Sequence, residues 1–523
     1  MKPVIALLSV ALCVQGQTFT FGNSGGLTSG YRVPQVAPAR LTDSGRLRSL
    51  LRDGNIVLSL HDAIALSLEN NLDLELERYG VELADSDVLR SKSGALPRGV
   101  PLSTREAPAG LGAPQPSPNG TLGGGDVPAL NSLIGPGVQV DLSILGSVPL
   151  PTGTPVPNFD PQIVGNVGWN HTADIQNSTF VPGLFSLNSE QLTANVGYQQ
   201  GFSTGGSLEV FFNNSRVDSN SPLQLFNPFT ASSVGIDVRQ PLLRGFGPAV
   251  NKRYIRIAKN NRSVSNAVFQ QQVIATVAGV VRLYWDLVSL REDVRVRHEG
   301  VASAERFVQD TRNQVETGTA AEVDVPRAAA ELARRKRDLA VAQSLVDQQS
   351  TVIKDYLTRG KGEPDLLSAP IVTTDALTPP PADEALPPAE TLFQTALRTR
   401  PEATQVRLQI DNSQLSLEGS KSALRPALDL VASAQNNGLA GNPLGATNAV
   451  GTSPLLIGGY GDNLRQVVGN DFPDYGVELQ LTVPLRNRAA RSDVIRDQVT
   501  VRQQQLRARQ LEKQIRVEVT NAL

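Results

Sequence analysis

Histidine is the side chain best placed to move a proton or hold a metal near neutral pH. The chain has three, His61, His171 and His298, scattered along its 523 residues with no second ligand at metal-binding spacing. The run Gly22-Asn23-Ser24-Gly25-Gly26 carries the letters of a nucleophile elbow. It sits in a polar stretch with no strand before it, so the sharp strand-to-helix turn that exposes such a serine is not provided. No phosphate-cradling glycine loop or dinucleotide fingerprint occurs. Acidic pairs and basic runs such as Arg334-Arg335-Lys336-Arg337 fall where a helix turns its solvated face outward. Formal net charge is −2 with both signs interspersed, so no basic face is offered to nucleic acid. These residues give no enzyme, no metal and no cofactor; the chemistry must lie in how elements are arranged.

The elements fall into three kinds. Leu58 to Ala95 has helical spacing, with Leu60, Ile64, Leu68, Leu72, Leu76, Val81 and Val88 on a rough stripe, a break at Asn70-Asn71 and a stop at Pro97. Strict alternation then marks strands. Ile163, Gly165, Val167 and Trp169 share a face, as do Leu192 to Tyr198, Leu208 to Phe212 and Val234 to Val238, and later Leu428 to Ala434 and Tyr475 to Leu485. Apolar on one face and polar on the other suits a soluble sandwich or a barrel with lipid outside and water inside. Glu209, Arg239 and Glu478 fall opposite the apolar face, as a water-filled lumen requires. Trp169 fits an aromatic girdle or an ordinary sheet aromatic, and Tyr284 with Trp285 reads as packing between helices. Residues 201–206 form a hairpin turn, and 217–232 and 437–472 read as longer loops.

The third kind is a long helical hairpin. Residues 250–313 contain no proline and carry a sparse seam through Val264, Val268, Ile274, Val277, Val281, Tyr284 and Val288. After Gly318 the returning stretch places Val325, Leu332, Leu339, Val346 and Ile353 seven apart, the period of supercoiled antiparallel helices. Sixty helical residues make a rod of ~90 Å. Pro326 lies in a first turn, where its missing N–H is tolerated, and Gly318 sits where the chain must reverse.

The whole arrangement occurs twice. Ser91-Lys92-Ser93-Gly94-Ala95-Leu96-Pro97 returns as Ser420-Lys421-Ser422-Ala423-Leu424-Arg425-Pro426, and at the same offset Ile64, Leu68, Val81 and Val88 meet Phe393, Leu397, Ile410 and Leu417. Asp237 to Leu242 and Gln480 to Leu485 likewise each precede a long polar helix. The expected organisation is an export signal over 1–16, a flexible lead-in over 17–55 and a first repeat over 56–358. That repeat holds helices 58–96, a Pro/Gly-rich insertion 98–160, strands 162–243 and a helical hairpin 248–358. A Pro-rich crossing follows over 359–390, and a second repeat over 391–523 that ends within its long helix. Cys13, the one cysteine, falls inside the signal, and the apolar stretch there is too short to span a bilayer.

Three stretches resemble the TolC-like outer membrane factors, the outer membrane efflux proteins of drug pumps and type I secretion systems. Leu58-Ser59-Leu60-His61-Asp62-Ala63-Ile64-Ala65-Leu66-Ser67-Leu68-Glu69-Asn70-Asn71 is similar to the family's opening helix. Gly318 with Asp324-Val325 fits its tip turn, and Gln240-Pro241-Leu242-Leu243-Arg244-Gly245-Phe246-Gly247 resembles a strand-to-rod junction. The resemblance implies a mixed α and β membrane protein, internally duplicated and homotrimeric. Long antiparallel helices would form an α-barrel, with a transmembrane β-barrel in outer membrane lipid above it. It implies four barrel strands per copy, so with six alternating segments the hairpin from Leu192 to Phe212 would extend a loop or pack at the barrel base. It further implies a passive exit duct, with Thr317, Gly318 and Thr319 at a periplasmic tip that docks an adaptor protein serving an inner-membrane transporter. The rival reading is a surface adhesive or structural protein with a coiled-coil stalk and a β head.

Overall fold

The computed structural model describes residues 31, 36, 38–39, 41–102, 108, 144–145, 153–176, 185–360, 368–376, 387–444 and 453–523. The expected signal over 1–16 with Cys13, the Gly22–Gly26 run, most of the Pro/Gly-rich insertion and Pro379-Pro380-Pro381 lie outside these residues. Two compact units are formed. The first takes its described residues from Met1–Asn71 and Val280–Leu377, and the second takes most of the remainder.

In the first unit, α1 (Gly45–Ser49) leads into β1 (Leu51–Arg52) and β2 (Asn55–Leu58), and α2 (Leu60–Asn70) follows. Ser59 caps α2 by accepting from the Asp62 amide at 3.1 Å, while its hydroxyl donates to the Asp62 carboxylate at 2.6 Å. The helix ends at the expected Asn70-Asn71 break, where Asn70 Nδ2 donates to the Leu357 carbonyl at 3.0 Å. The lead-in is therefore ordered from Gly45 onward, contrary to expectation. Its strand β2 pairs in parallel with β9 (Ile371–Thr373), which lies inside the expected Pro-rich crossing. Both strands are too short for any alternation to announce them. From α5 (Arg253–Glu316) this unit takes the part after Val280, and it also holds α6 (Asp324–Leu357). Leu58, Leu66, Leu283, Leu287, Ile353 and Ile371 are all buried.

The second unit contains α3 (Leu72–Lys92), the short pair β3 (Pro101–Leu102) and β4 (Ile144–Leu145), and five of the strands that follow expectation closely. These are β5 (Gln162–Ile175), β6 (Ser186–Gly201), β7 (Ser207–Ser219), β8 (Phe226–Pro241) and β10 (Ala427–Pro443). The sixth, β11 (Phe472–Thr482), stops short of Val483 and Leu485. All six form one antiparallel sheet in the order β11-β10-β8-β7-β6-β5. The hairpin in question, β6 with β7, is thus neither a loop extension nor a basal addition. It pairs along its whole length between β5 and β8 because its alternation matches both neighbours. The helices here are α4 (Pro248–Asn251), the start of α5, α7 (Ala389–Thr399), α8 (Pro401–Ala423), α9 (Tyr460–Gly469) and α10 (Arg488–Ala522). The stretch read as a loop over 437–472 instead holds the end of β10 and all of α9.

The long helices keep much of the seam read from sequence, with Val264, Val268, Tyr284, Val288 and Ile353 buried, but other stripe positions depart from it. Leu72 and Leu76 are exposed, while Gly80, Ala84, Asp87 and Ser91 are buried. On α5, Ile274 is exposed while Gln272 and Thr276 are buried. Ala84 packs in an apolar cluster with Val100, Val264 and Val268. By length and composition one window of α5, with mean hydropathy 1.6, could cross a bilayer, and 44% of that window is buried.

Candidate functional site

The sheet has two chemically opposite faces. One cross-strand row runs through Ile163, Tyr198, Val210, Ile236, Ala434 and Tyr475, and its neighbours on the same face include Val167, Trp169, Leu192, Val196, Phe212, Val238 and Leu479. Among the described residues these apolar side chains are largely open: Ile236 is 41% exposed, and Tyr475 and Val477 on the edge strand reach 86% and 77%. Trp169 projects from this face 66% exposed, its ring stacked on His171. The opposite face carries Asn166, Asn195, Glu209, Asp237, Arg239, Asp429 and Glu478, so Glu209, Arg239 and Glu478 stand where their spacing placed them. Arg239 Nη2 donates to Asp429 Oδ2 at 2.6 Å, and Gln199 Nε2 donates to Glu209 Oε1 at 3.1 Å.

At the end of the sheet remote from the helices, α9 lies on the apolar side beyond the apolar rows. Asn463 Nδ2 donates to Ser232 Oγ at 2.9 Å and to the Thr230 carbonyl at 3.0 Å, and the Tyr460 hydroxyl donates to Asn214 at 3.0 Å. Gly438 lets α9 approach, since a Cβ there would meet Asn463 Oδ1 at 2.3 Å. A polar helix on this face caps the apolar zone rather than extending it.

At the other end the strands turn into helices through the Gln240–Gly247 junction. Gly245 and Gly247 adopt φ of +79° and +97°, and Asn251 Nδ2 donates to both their carbonyls, at 2.7 and 3.0 Å. Arg253 is buried beside them. It donates to the Thr154 carbonyl at 2.6 Å and the Tyr254 hydroxyl at 2.9 Å, and its guanidinium lies 4.3 Å from the centre of the Tyr254 ring. Burial pushes its pKa down, opposed by Tyr254 and Asp497. Gly419 makes room: a Cβ there would stand 2.8 Å from Arg253 Nε. The second Ser-Lys-Ser segment also meets this place, where Ser420 donates to Asp497 and Ser422 Oγ accepts from the Gly245 amide. Sequence reading found the junction but not Arg253, whose burial no local pattern signals.

The turn joining α5 to α6 reverses at Gly318, with φ +77°. The Thr319 amide donates to the Gln314 carbonyl at 2.8 Å, and the Thr317 hydroxyl donates to the Asn313 or Gln314 carbonyl at 3.0 Å. Thr317, Gly318 and Thr319 are all exposed, and a Cβ at Gly318 would meet nothing within 4 Å. Behind the turn, within the same unit, the Tyr284 hydroxyl donates to Asp375 Oδ2 at 2.6 Å and lies 3.2 Å from the Leu58 carbonyl. Burial, then the Asp375 bond, pushes its pKa up to about 12. Asp375, which also accepts from the Leu60 amide at 2.9 Å, is held below the usual carboxylate range, chiefly by Tyr284. His61, His171 and His298 stay apart, and among the described residues no three of His, Cys, Asp and Glu gather around a common point.

A sheet with one apolar and one charged face, followed in the chain by long helices, has the pattern of strands that meet lipid on one side and water on the other. Residues 191–358 match the family model described as outer membrane efflux protein, so the resemblance read from the sequence holds across strands β6 to β8 and the helical hairpin. Among solved structures the chain is similar to CusC (12% identity, 94% of this chain and 80% of that one, TM-score 0.45). It is also similar to the CmeC outer membrane channel of Campylobacter jejuni (12%, 92% and 75%, TM-score 0.46) and the outer membrane protein VceC of Vibrio cholerae (11%, 87% and 75%, TM-score 0.46). No curated protein matches the chain.

Proposed function

We propose that this chain is the outer-membrane exit duct of a tripartite efflux pump or type I secretion system. It works as a passive homotrimeric channel in the outer membrane and extends into the periplasm. The observation that carries the reading is the two-faced sheet followed in the chain by a long helical hairpin, and strands β7 and β8, most of β6 and the hairpin fall in the stretch that matches the efflux family model. Lipid covers the apolar face, water fills the space along the charged face, and the paired helices of three copies continue the conduit as an α-barrel. The exposed Leu72, Leu76 and Leu83 on α3 suit burial against a neighbouring copy. Residues 1–16 serve as the export signal, and the two repeats over 56–358 and 391–523 supply equivalent parts of each protomer. The exposed turn at Thr317, Gly318 and Thr319 docks the adaptor, and the inner-membrane transporter supplies the energy.

The test is electrical. Trimers of the full-length chain reconstituted in a planar bilayer should give stable single-channel conductance, and fractionation should place the protein in the outer membrane. Persistent lack of conductance, with binding to an external surface instead, would favour the adhesive reading and overturn this one.

A further inference from the structure

Among the described residues, the six-stranded sheet ends in two free edges, β5 and β11. All eleven residues of β11 are exposed, and Ile163, Val167 and Trp169 on β5 are each more than half exposed. A long apolar edge with unpaired backbone groups is an invitation to another strand, and in lipid those groups cannot be left open.

The apolar band on the sheet indicates which strand. On β11 and β10 it runs from Leu481 and Leu428 to Tyr475 and Ala434. On β6 and β5 it begins at the same cross-strand row, Tyr198 and Ile163, and runs the other way to Leu192 and Trp169. The band thus climbs by about three pair-rows, ~20 Å along the strands, over five interstrand steps of ~4.8 Å. That slope is a tilt of ~40°, within the 35–45° that strands adopt in a closed barrel whose apolar belt lies level in the bilayer. Neighbouring strands are antiparallel throughout, and with an even number the two edge strands run in opposite directions. Abutting copies therefore meet antiparallel, as every internal pair does.

We propose that β11 of one copy pairs with β5 of a second copy of this chain, so that all six strands of each protomer enter the barrel wall. In the trimer this makes an eighteen-stranded barrel, in place of the twelve that four strands per copy would give. One more step of the same climb sets Val167 opposite Leu479 on the lipid side and Asn166 opposite Gln480 on the lumen side. Because diameter grows roughly linearly with strand number, the barrel is ~1.5 times as wide as a twelve-stranded one and its cross-section about twice as large. This inference rests on the duct reading.

The test pairs Asn166→Cys with Gln480→Cys in the full-length chain, with each single substitution as the control for Cys13. The two positions are five strands apart within a protomer, ~24 Å, too far for a disulfide inside one sheet. Oxidation of membrane-inserted trimers should give dimers and then covalently closed trimers on a denaturing gel, whereas Asn166→Cys with Asp474→Cys should not. Electron-microscopic top views of the unsubstituted protein in lipid nanodiscs should show a ring ~1.5 times the diameter of a twelve-stranded barrel. Conducting trimers that fail to link at Asn166 and Gln480, or a ring of twelve-strand width, would overturn six-strand closure and leave the duct standing. Absence of conductance from the unsubstituted chain would remove both.

Discussion

At the scale of single residues, the most consequential contacts join segments far apart in sequence. Tyr284 and Asp375 are an example: one hydroxyl ties a buried helix position to the chain just after β9. The protonated phenol is the form that binds, so its raised pKa of about 12 stabilises the unit below the usual tyrosine range, near pH 10. That contribution disappears as pH climbs from about 10 through about 12. The lowered pKa of Asp375 acts in the opposite sense, stabilising above the ordinary carboxylate range near 4 and fading as pH falls through its lower value. Tyr284→Phe should cost about 1.5–3 kcal/mol, the range for a hydrogen bond to a charged group, and should flatten the alkaline decline in stability. Urea unfolding followed between pH 7 and 12 checks both. An unchanged alkaline limb in the variant would mean the phenol contributes nothing there. Neither partner was legible beforehand: Tyr284 reads as an ordinary packing aromatic, and Asp375 sits in a segment that reads as mere crossing. Asp87 was hidden in the same way, although its carboxylate accepts from the Arg98 and Gly99 amides at 3.0 and 2.7 Å and so holds the chain where α3 ends.

Elements were legible where one physical period dominates. Alternation in β5 to β8 survives because each face meets a different environment, and one slipped residue would reverse every side chain. The reversal at Gly318 was legible for the same kind of reason, since positive φ favours glycine. Less was visible where contacts replace periods. In α9 the buried residues Asn463 and Gln466 bond to the sheet, so its packing face carries polar letters and reads as loop. On α3 the stripe misled because Gly80, Ala84, Asp87 and Ser91 line its buried face while Leu72, Leu76 and Leu83 remain outside. At the turn, Gly318→Ala should cost ~1–2 kcal/mol, a purely backbone effect because nothing crowds the added methyl group. Thr317→Arg with Thr319→Arg should weaken adaptor binding at least tenfold, ~1.4 kcal/mol, with conductance in the absence of adaptor unchanged. Calorimetric titration of adaptor onto reconstituted trimers reads the first and bilayer recording the second. Unaltered affinity would remove these residues from the docking surface.

For the whole molecule, the proposed duct makes the charged face of the sheet the lining that sets what it admits. Glu209, Asp237, Asp429, Glu478 and Asp474 stand on that face with Arg239, and Arg239 is already engaged by Asp429. Repeated around the proposed ring of copies, these groups would make a net acidic lining, raising the local concentration of cations and lowering that of anions. Glu209 and Glu478 lie on different strands with no role in the apolar belt, so reversing them alters the field without touching the lipid contact. A unit charge acting through water at close range is worth about 1 kcal/mol. Glu209→Lys with Glu478→Lys should therefore move the cation-to-anion permeability ratio toward anions several-fold while trimer yield stays the same. The reversal potential under a potassium chloride gradient gives that ratio directly. A shift accompanied by intact trimers places the carboxylates along the conducting path. An unmoved potential would mean that ions never pass this face, and the assignment of lipid to one side of the sheet and water to the other would fall with it.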